Sequence, residues 1–477
     1  MPRTIRVAAV AGFLCGLIAA QYNQPYRPQF HFSPRQHWTN DPNGPVWFDG
    51  EYHLFFQYNT FGDVWGHMSW GHAVSPDLIH WRELPVALPE ENGIMIYTGS
   101  TVVDARNSSG FCASGKPCLV AVYTGDGHHL ETQNLAFSND RGRTWTKYAG
   151  NPVLNLNLAD FRDPDVFWLE SAHRWIMAVS LPNDHKVRFY GSSDLKHWQM
   201  LSDFGPAGST SGQWECPNLF ELPVEGAGET RWVLKVGVNP GALQGGSGEQ
   251  YFVGRFDGAR FVNDNPAPLT LWTDYGKDCY CALTFNNLPR GDAPVMIGWM
   301  NNWQYAAKVP TSPWRGQMTI PRRLSLRRTA DGIRLFQHPV LPEATNAASD
   351  SHSFRIHMES SPSGVREVGL RLLAADGTAT VIGYNRDREE LFVDRTHSGL
   401  IAFSPDFPTR TAAPLRLGND PLRLDVLVDR CSIEVFAQDG RVAITNLVFP
   451  PPDAHGVEVW PRGAASFKLT PIASAVR

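Results

Sequence analysis

A seven-residue element, Ser-x-Asp-Leu-x-His-Trp, occurs twice in full: Ser75-Pro76-Asp77-Leu78-Ile79-His80-Trp81 and Ser192-Ser193-Asp194-Leu195-Lys196-His197-Trp198. A longer cousin runs from Ser138 to Trp145, and a more distant one from Phe256 to Phe261. Each reads as a polar turn between two outer strands. A chain built from copies of one small unit must stack or ring them, because a single unit cannot bury its own apolar face.

Upstream of these turns a strand pair also recurs. Val46-Trp47-Phe48 leads through Asp49-Gly50 to Tyr52–Gln57, and Val166-Phe167-Trp168 faces Trp175–Val179. Leu219–Leu222 faces Trp232–Val236, and Val295–Trp299 supplies another second strand. Polar residues open the units at Asp41, Ser100, Asp163, Glu215 and Asp278, roughly 50 to 65 residues apart, so five units fill residues 30 to 330. Four-stranded repeats of this length are propeller blades with long turns. The first strand of each blade lines the central channel, which brings Asp41, Asp163 and Glu215 to one end of the axis.

From about Pro339 the texture changes. Pro339-Val340-Leu341-Pro342 reads as a linker, and period-two strands follow at Leu422–Val428, Ser432–Phe436 and Val442–Phe449. The expected architecture is therefore all-β, a five-bladed β-propeller followed by a C-terminal β-sandwich. The expected bounds are a leader over 1–20, the propeller over 21–338, a linker over 339–350 and the sandwich over 351–477.

Composition removes several function classes. A chain of 477 residues with 42% hydrophobic and 19% charged residues is neither disordered nor a coiled coil. The net charge of −5 without a basic run argues against a nucleic-acid partner. Aromatic residues at 12% suit tight β packing or carbohydrate-stacking surfaces. Met1–Ala20 has the pattern of a secretory signal, with Arg3 and Arg6 ahead of the apolar run Val7–Ala19. That run is short for a membrane span, and Cys15 lacks the preceding small residue of a lipid anchor, so export with no membrane attachment is expected. In an oxidising compartment Cys112 and Cys118 are placed to bridge, whereas Cys279 and Cys281 point the same way on a strand and do not suit each other. No zinc-type spacing is present, and neither a metal nor a cofactor is expected.

Three acids carry the chemistry. Asp41 lies in Trp38-Thr39-Asn40-Asp41-Pro42-Asn43-Gly44, where Pro42 stiffens the chain and Gly44 permits a tight turn. Asp163 follows Arg162, a cation able to keep a carboxylate ionised or grip a sugar hydroxyl. Glu215 sits between Trp214 and Cys216-Pro217, where desolvation would favour a proton donor. Taken singly, each has an ordinary structural explanation as a turn former, a surface ion pair or a solvent-facing strand residue. Their joint placement at equivalent blade positions is what points to glycosidic cleavage, which needs an ionised carboxylate and a protonated one on either side of the scissile bond.

These motifs resemble glycoside hydrolase family 32, the invertases, inulinases and levanases. Trp38–Gly44, Arg162-Asp163-Pro164 and Glu215-Cys216-Pro217 match its three signatures, and the likeness continues through Trp70–Ser75, Tyr97–Ser100 and Gly298–Tyr305. The resemblance implies Asp41 as nucleophile, Glu215 as general acid/base and Asp163 as transition-state stabiliser. It further implies that Asn40, Gln57, Trp65, Ser100 and Arg162 hold the terminal fructosyl unit of a fructan or sucrose, with Trp299 or Trp303 walling the pocket. Thr39, Tyr97-Thr98, Asn218, Cys279 and Cys281 depart from the commoner residues. A secreted, retaining, exo-acting β-fructosidase is the implied activity. A sucrose-dedicated invertase, a fructosyltransferase, an inverting arabinan-cleaving propeller and a non-catalytic sugar-binding propeller are the alternatives.

Overall fold

The computed structural model describes residues 22–345, 352–360, 365–375, 377–461 and 465–475. The expected leader and most of the second half of the expected linker lie outside those residues. Among the described residues no helix is long and apolar enough to cross a membrane.

Five antiparallel blades form the first part. Their innermost strands are His37–Phe48, Met95–Asp104, Arg162–Leu169, Gln213–Val224 and Tyr280–Thr284. Blade 5 continues through Val295–Trp299, Arg322–Thr329 and Gly332–Pro339. A short parallel pairing of His37 and Trp38 with Trp314 and Arg315 joins the last blade to the first. Apolar side chains of neighbouring blades form the inter-blade cores, for example Met177, Val179 and Val122 between blades 2 and 3.

The recurring seven-residue element is the turn between the third and fourth strands of a blade. In blade 1 Asp77 Oδ1 accepts the amides of Ile79 and His80, at 3.0 and 2.8 Å, and Trp81 Nε1 donates to Leu78 O at 2.9 Å. Blade 3 repeats this with Asp194, Lys196, His197, Trp198 and Leu195. Leu78 and Leu195 both take positive φ, 73° and 64°, and the aspartate satisfies the amides that this tight turn leaves unpaired. Blade 4 keeps only the acid, with Asp257 Oδ1 accepting from Ala259 and Arg260.

Two five-stranded antiparallel sheets form the second part. One is ordered Val442–Leu447, Ser432–Ala437, Leu422–Asp429, Phe354–Ser360, Ser466–Pro471; the other Arg410–Pro414, Glu390–His397, Thr378–Asn385, Glu367–Ala375, Gly456–Trp460. Alternate residues such as Ile356, Leu370, Ile382, Val426 and Val435 meet between them, the period-two signature of a sandwich. Buried ion pairs fasten it to the propeller: Arg322 bonds Glu434 and Asp274, and His31 lies between Asp429 and Glu434.

Candidate active site

All five inner strands break register near their starts. The interruptions fall between Thr39 and Pro42, Ile96 and Gly99, Arg162 and Asp165, Glu215 and Asn218, and Tyr280 and Leu283. A β-bulge frees residues from the ladder and re-aims their side chains, and a ring of five bulges turns one set of side chains toward the axis. Gly44 serves the same end of the channel: its φ is 45°, and a Cβ there would lie 2.3 Å from Thr101 Oγ1 of blade 2.

The bulges open onto a pocket of about 350 Å3. Asp41, Asp163 and Glu215 share its wall with Asn40, Gln57 and Arg162, while Trp65, Tyr97 and Trp303 supply aromatic faces. Asp41 Oδ2 accepts from Thr98 Oγ1 at 3.1 Å, and its Oδ1 is buried without a protein partner. Asp163 Oδ2 accepts from Cys216 N at 2.9 Å. Arg162 donates from Nε and Nη2 to Glu215 Oε1 at 3.1 and 3.0 Å, and from Nη1 to Glu131 and Asp160. Tyr280 donates its hydroxyl to Glu215 Oε2. Glu215 is thus gripped on both oxygens, whereas Asp41 keeps one oxygen free.

Electrostatics follow from crowding acids in a desolvated place. Burial pushes Asp41 well above the usual carboxylate range, and the charges of Asp163 and Glu215 push it further. Burial also raises Asp163 to about 7, against the pull of Arg162. Asp41 and Asp163 cannot both ionise cheaply, so the pair retains a proton near neutral pH. Burial holds the Tyr280 phenol far above its ordinary value, so it remains a donor.

Asp163 has a stability consequence whose sign is fixed. Its folded-state value of about 7 exceeds the ordinary 3.8, so the folded protein binds the extra proton between those limits and loses stability as pH rises through them. Asp163→Asn removes that dependence and can still accept from Cys216 N. We expect it to raise the melting temperature at pH 8, by about 1–3 kcal/mol of stability, with the gain vanishing toward pH 4 while activity is lost. Melting curves at both pH values check this, and a lower melting temperature at pH 8 would contradict it.

Two expectations need correction. Ser100 does not reach the pocket: its Oγ accepts Val166 N at 2.9 Å, one alternation farther along the channel. Thr98 occupies the pocket position instead. Asp278, expected to open the fifth unit toward the axis, turns to the sandwich, where it accepts from Tyr305 Oη and Arg395 Nη1, both at 2.5 Å. Tyr280 takes the axial place. Between the two tryptophans, Trp303 lines the pocket, and Trp299 is fully buried behind it with ring centroids 4.8 Å apart.

Glu131, Asp160, Gln213 and Asn239 also line the site or hold Arg162, without any motif to mark them. Cys112 and Cys118, which the sequence left free to bridge or not, are bonded, and a second disulfide joins Cys216 to Cys281. Asp41, Cys216 and Cys281 offer ligand atoms within 4.8 Å of one another. Both sulfurs are spent in the disulfide, and without a thiolate this trio is not a metal-ligand set.

A carboxylate-walled pocket on the axis of a five-bladed propeller, backed by a β-sandwich, defines a carbohydrate-cleaving enzyme. Residues 31–339 match the model of the glycosyl hydrolases family 32 N-terminal domain, and residues 324–473 match that of the family 32 C terminal. The chain belongs to glycosyl hydrolases family 32. It is 45% identical over 470 residues to a levanase of Bacillus subtilis (strain 168), covering 93% of this chain and 69% of the levanase. An extracellular exo-inulinase of Aspergillus niger is 40% identical over 521 residues, covering 97% and 96%. The crystal structure of exo-inulinase from Aspergillus awamori superposes with a TM-score of 0.90 at 37% identity, covering 95% of this chain and 99% of that one. A β-fructofuranosidase from Schwanniomyces occidentalis complexed with fructosyl-erythritol gives 0.83 at 33% identity, covering 96% of each.

Proposed function

We propose that the enzyme releases single fructose units from the non-reducing ends of levan, inulin or sucrose by double displacement, with net retention at the anomeric carbon. Membership in family 32 beside levanase and exo-inulinase relatives makes it a β-fructosidase of fructans or sucrose. The observation that supports the finer reading is the convergence of carboxylates from blades 1, 3 and 4 on one pocket of single-sugar size.

In this mechanism Asp41 attacks the anomeric carbon through its unpartnered Oδ1 while Glu215 gives its proton to the departing oxygen. Glu215 then takes a proton from the water that releases the fructosyl group from Asp41. Arg162 and Tyr280, both donors to Glu215, fix its orientation for both steps. Asp163 accepts ring hydroxyls and stabilises the oxocarbenium-like transition state. Asn40, Gln57, Trp65 and Trp303 hold the ring from the sides. The exo-inulinase relatives support attack at a chain end over an internal unit. The reading includes export, supported by the extracellular relatives.

The test is the configuration of the first product. With sucrose carbon-13 labelled at the fructosyl anomeric carbon, NMR before mutarotation should show β-fructofuranose. An α product would replace double displacement with direct attack by water, the course expected of an inverting arabinan-type propeller.

A further inference from the structure

The Cys216–Cys281 bond lies under the site, between the inner strands of blades 4 and 5. Cys216 follows Glu215, and Cys281 follows Tyr280, the donor to Glu215. Both cysteines are almost fully buried, at 1% and 0% exposure. Both sit where the ladder to the next strand is interrupted, with left-handed backbone, φ 47° and 46°. Regular pairing therefore does not hold either residue in place. Pro217 removes one further amide that might have paired there. Cys216 Sγ packs 3.8 Å from Asp41 Oδ2, and Cys216 N binds Asp163, so one residue touches two of the three acids and is bonded in sequence to the third.

We propose that the Cys216–Cys281 disulfide is a positioning cross-link, closing the loop Glu215–Cys216–Cys281–Tyr280 so that the acid/base is held at its working distance from Asp41 and under the Tyr280 hydroxyl. It deepens the proposed mechanism and rests on the roles given there to Asp41 and Glu215. The bulges that re-aim these side chains give up ladder bonds, and the covalent link restores the lost constraint at the point where a displacement of 1 Å costs most.

The test compares Cys281→Ala with the wild type and with a Cys112→Ala/Cys118→Ala double variant, which loses only the bridge beside blade 2. Cys281→Ala should lose about 10- to 100-fold in kcat on sucrose. Its KM should change little, because the walls that hold the ring are untouched. The basic limb of its pH profile should shift, because the Tyr280 hydroxyl no longer meets the Glu215 carboxyl as it does in the wild type. The double variant should melt earlier with kcat and the pH limb unchanged. If Cys281→Ala does not fold, the double variant treated with dithiothreitol provides the same readout: one S–S bond opens to two thiols as the reagent closes to its cyclic disulfide. Non-reducing peptide maps must recover Cys216 linked to Cys281. An unlinked pair, or wild-type kcat and pH profile after loss of the bond, would overturn the inference. Undiminished turnover in Asp41→Asn or Glu215→Gln would instead overturn the mechanism beneath it.

Discussion

Asp41→Asn should abolish turnover, with a loss of kcat on the order of 10⁴-fold or more on sucrose and on levan alike. The amide is isosteric and its single oxygen can take over the hydrogen bond that Thr98 Oγ1 donates, so the pocket retains its shape. What disappears is the nucleophile and one negative charge from a crowded cluster. Because burial and the neighbouring acids disfavour that charge, the variant should fold at least as stably as the wild type above neutral pH. Binding of a fructan end, read by calorimetry, should survive. Turnover within about tenfold of wild type would show that another group attacks the anomeric carbon.

Glu215→Gln should lose about 10²- to 10⁴-fold on sucrose, the usual worth of a positioned proton donor. The size of the defect should depend on the leaving group. Fructosyl fluoride and aryl fructosides depart without a proton, so their first step should be spared while the second, which needs a general base, remains slow. Azide needs no base and should restore turnover, yielding fructosyl azide of retained configuration. A uniform loss across all leaving groups, with no response to azide, would remove Glu215 from proton transfer. Arg162 and Tyr280 hold both oxygens of this residue, and a glutamine must find an acceptor for its own NH2 there, so a small fall in melting temperature accompanies the change.

Much of this was legible in the sequence because propeller geometry converts spacing into position. The Ser-x-Asp-Leu-x-His-Trp turns mark the passage from third to fourth strand in blades 1 and 3, and they do so because the aspartate and tryptophan make the same backbone bonds in both copies. Asp41, Asp163 and Glu215 could then be placed on inner strands. The bulges were not legible, since nothing in local composition says that two residues will oppose one. That is why Ser100 was expected where Thr98 stands, and Asp278 where Tyr280 stands. Glu131 and Asp160 were invisible for another reason: they reach Arg162 from outside any motif, and only the fold brings them there. The Cys216–Cys281 bond joins residues 65 apart in sequence, and no spacing rule foretells it.

The central claim is that Asp41 carries the sugar between the two chemical steps. Glu215→Gln, mixed with fructosyl fluoride and quenched with acid, should gain the mass of one fructosyl group, and peptic mapping should place it on the peptide containing Asp41. No adduct under conditions where fluoride is released, or an adduct on another residue, would contradict the account.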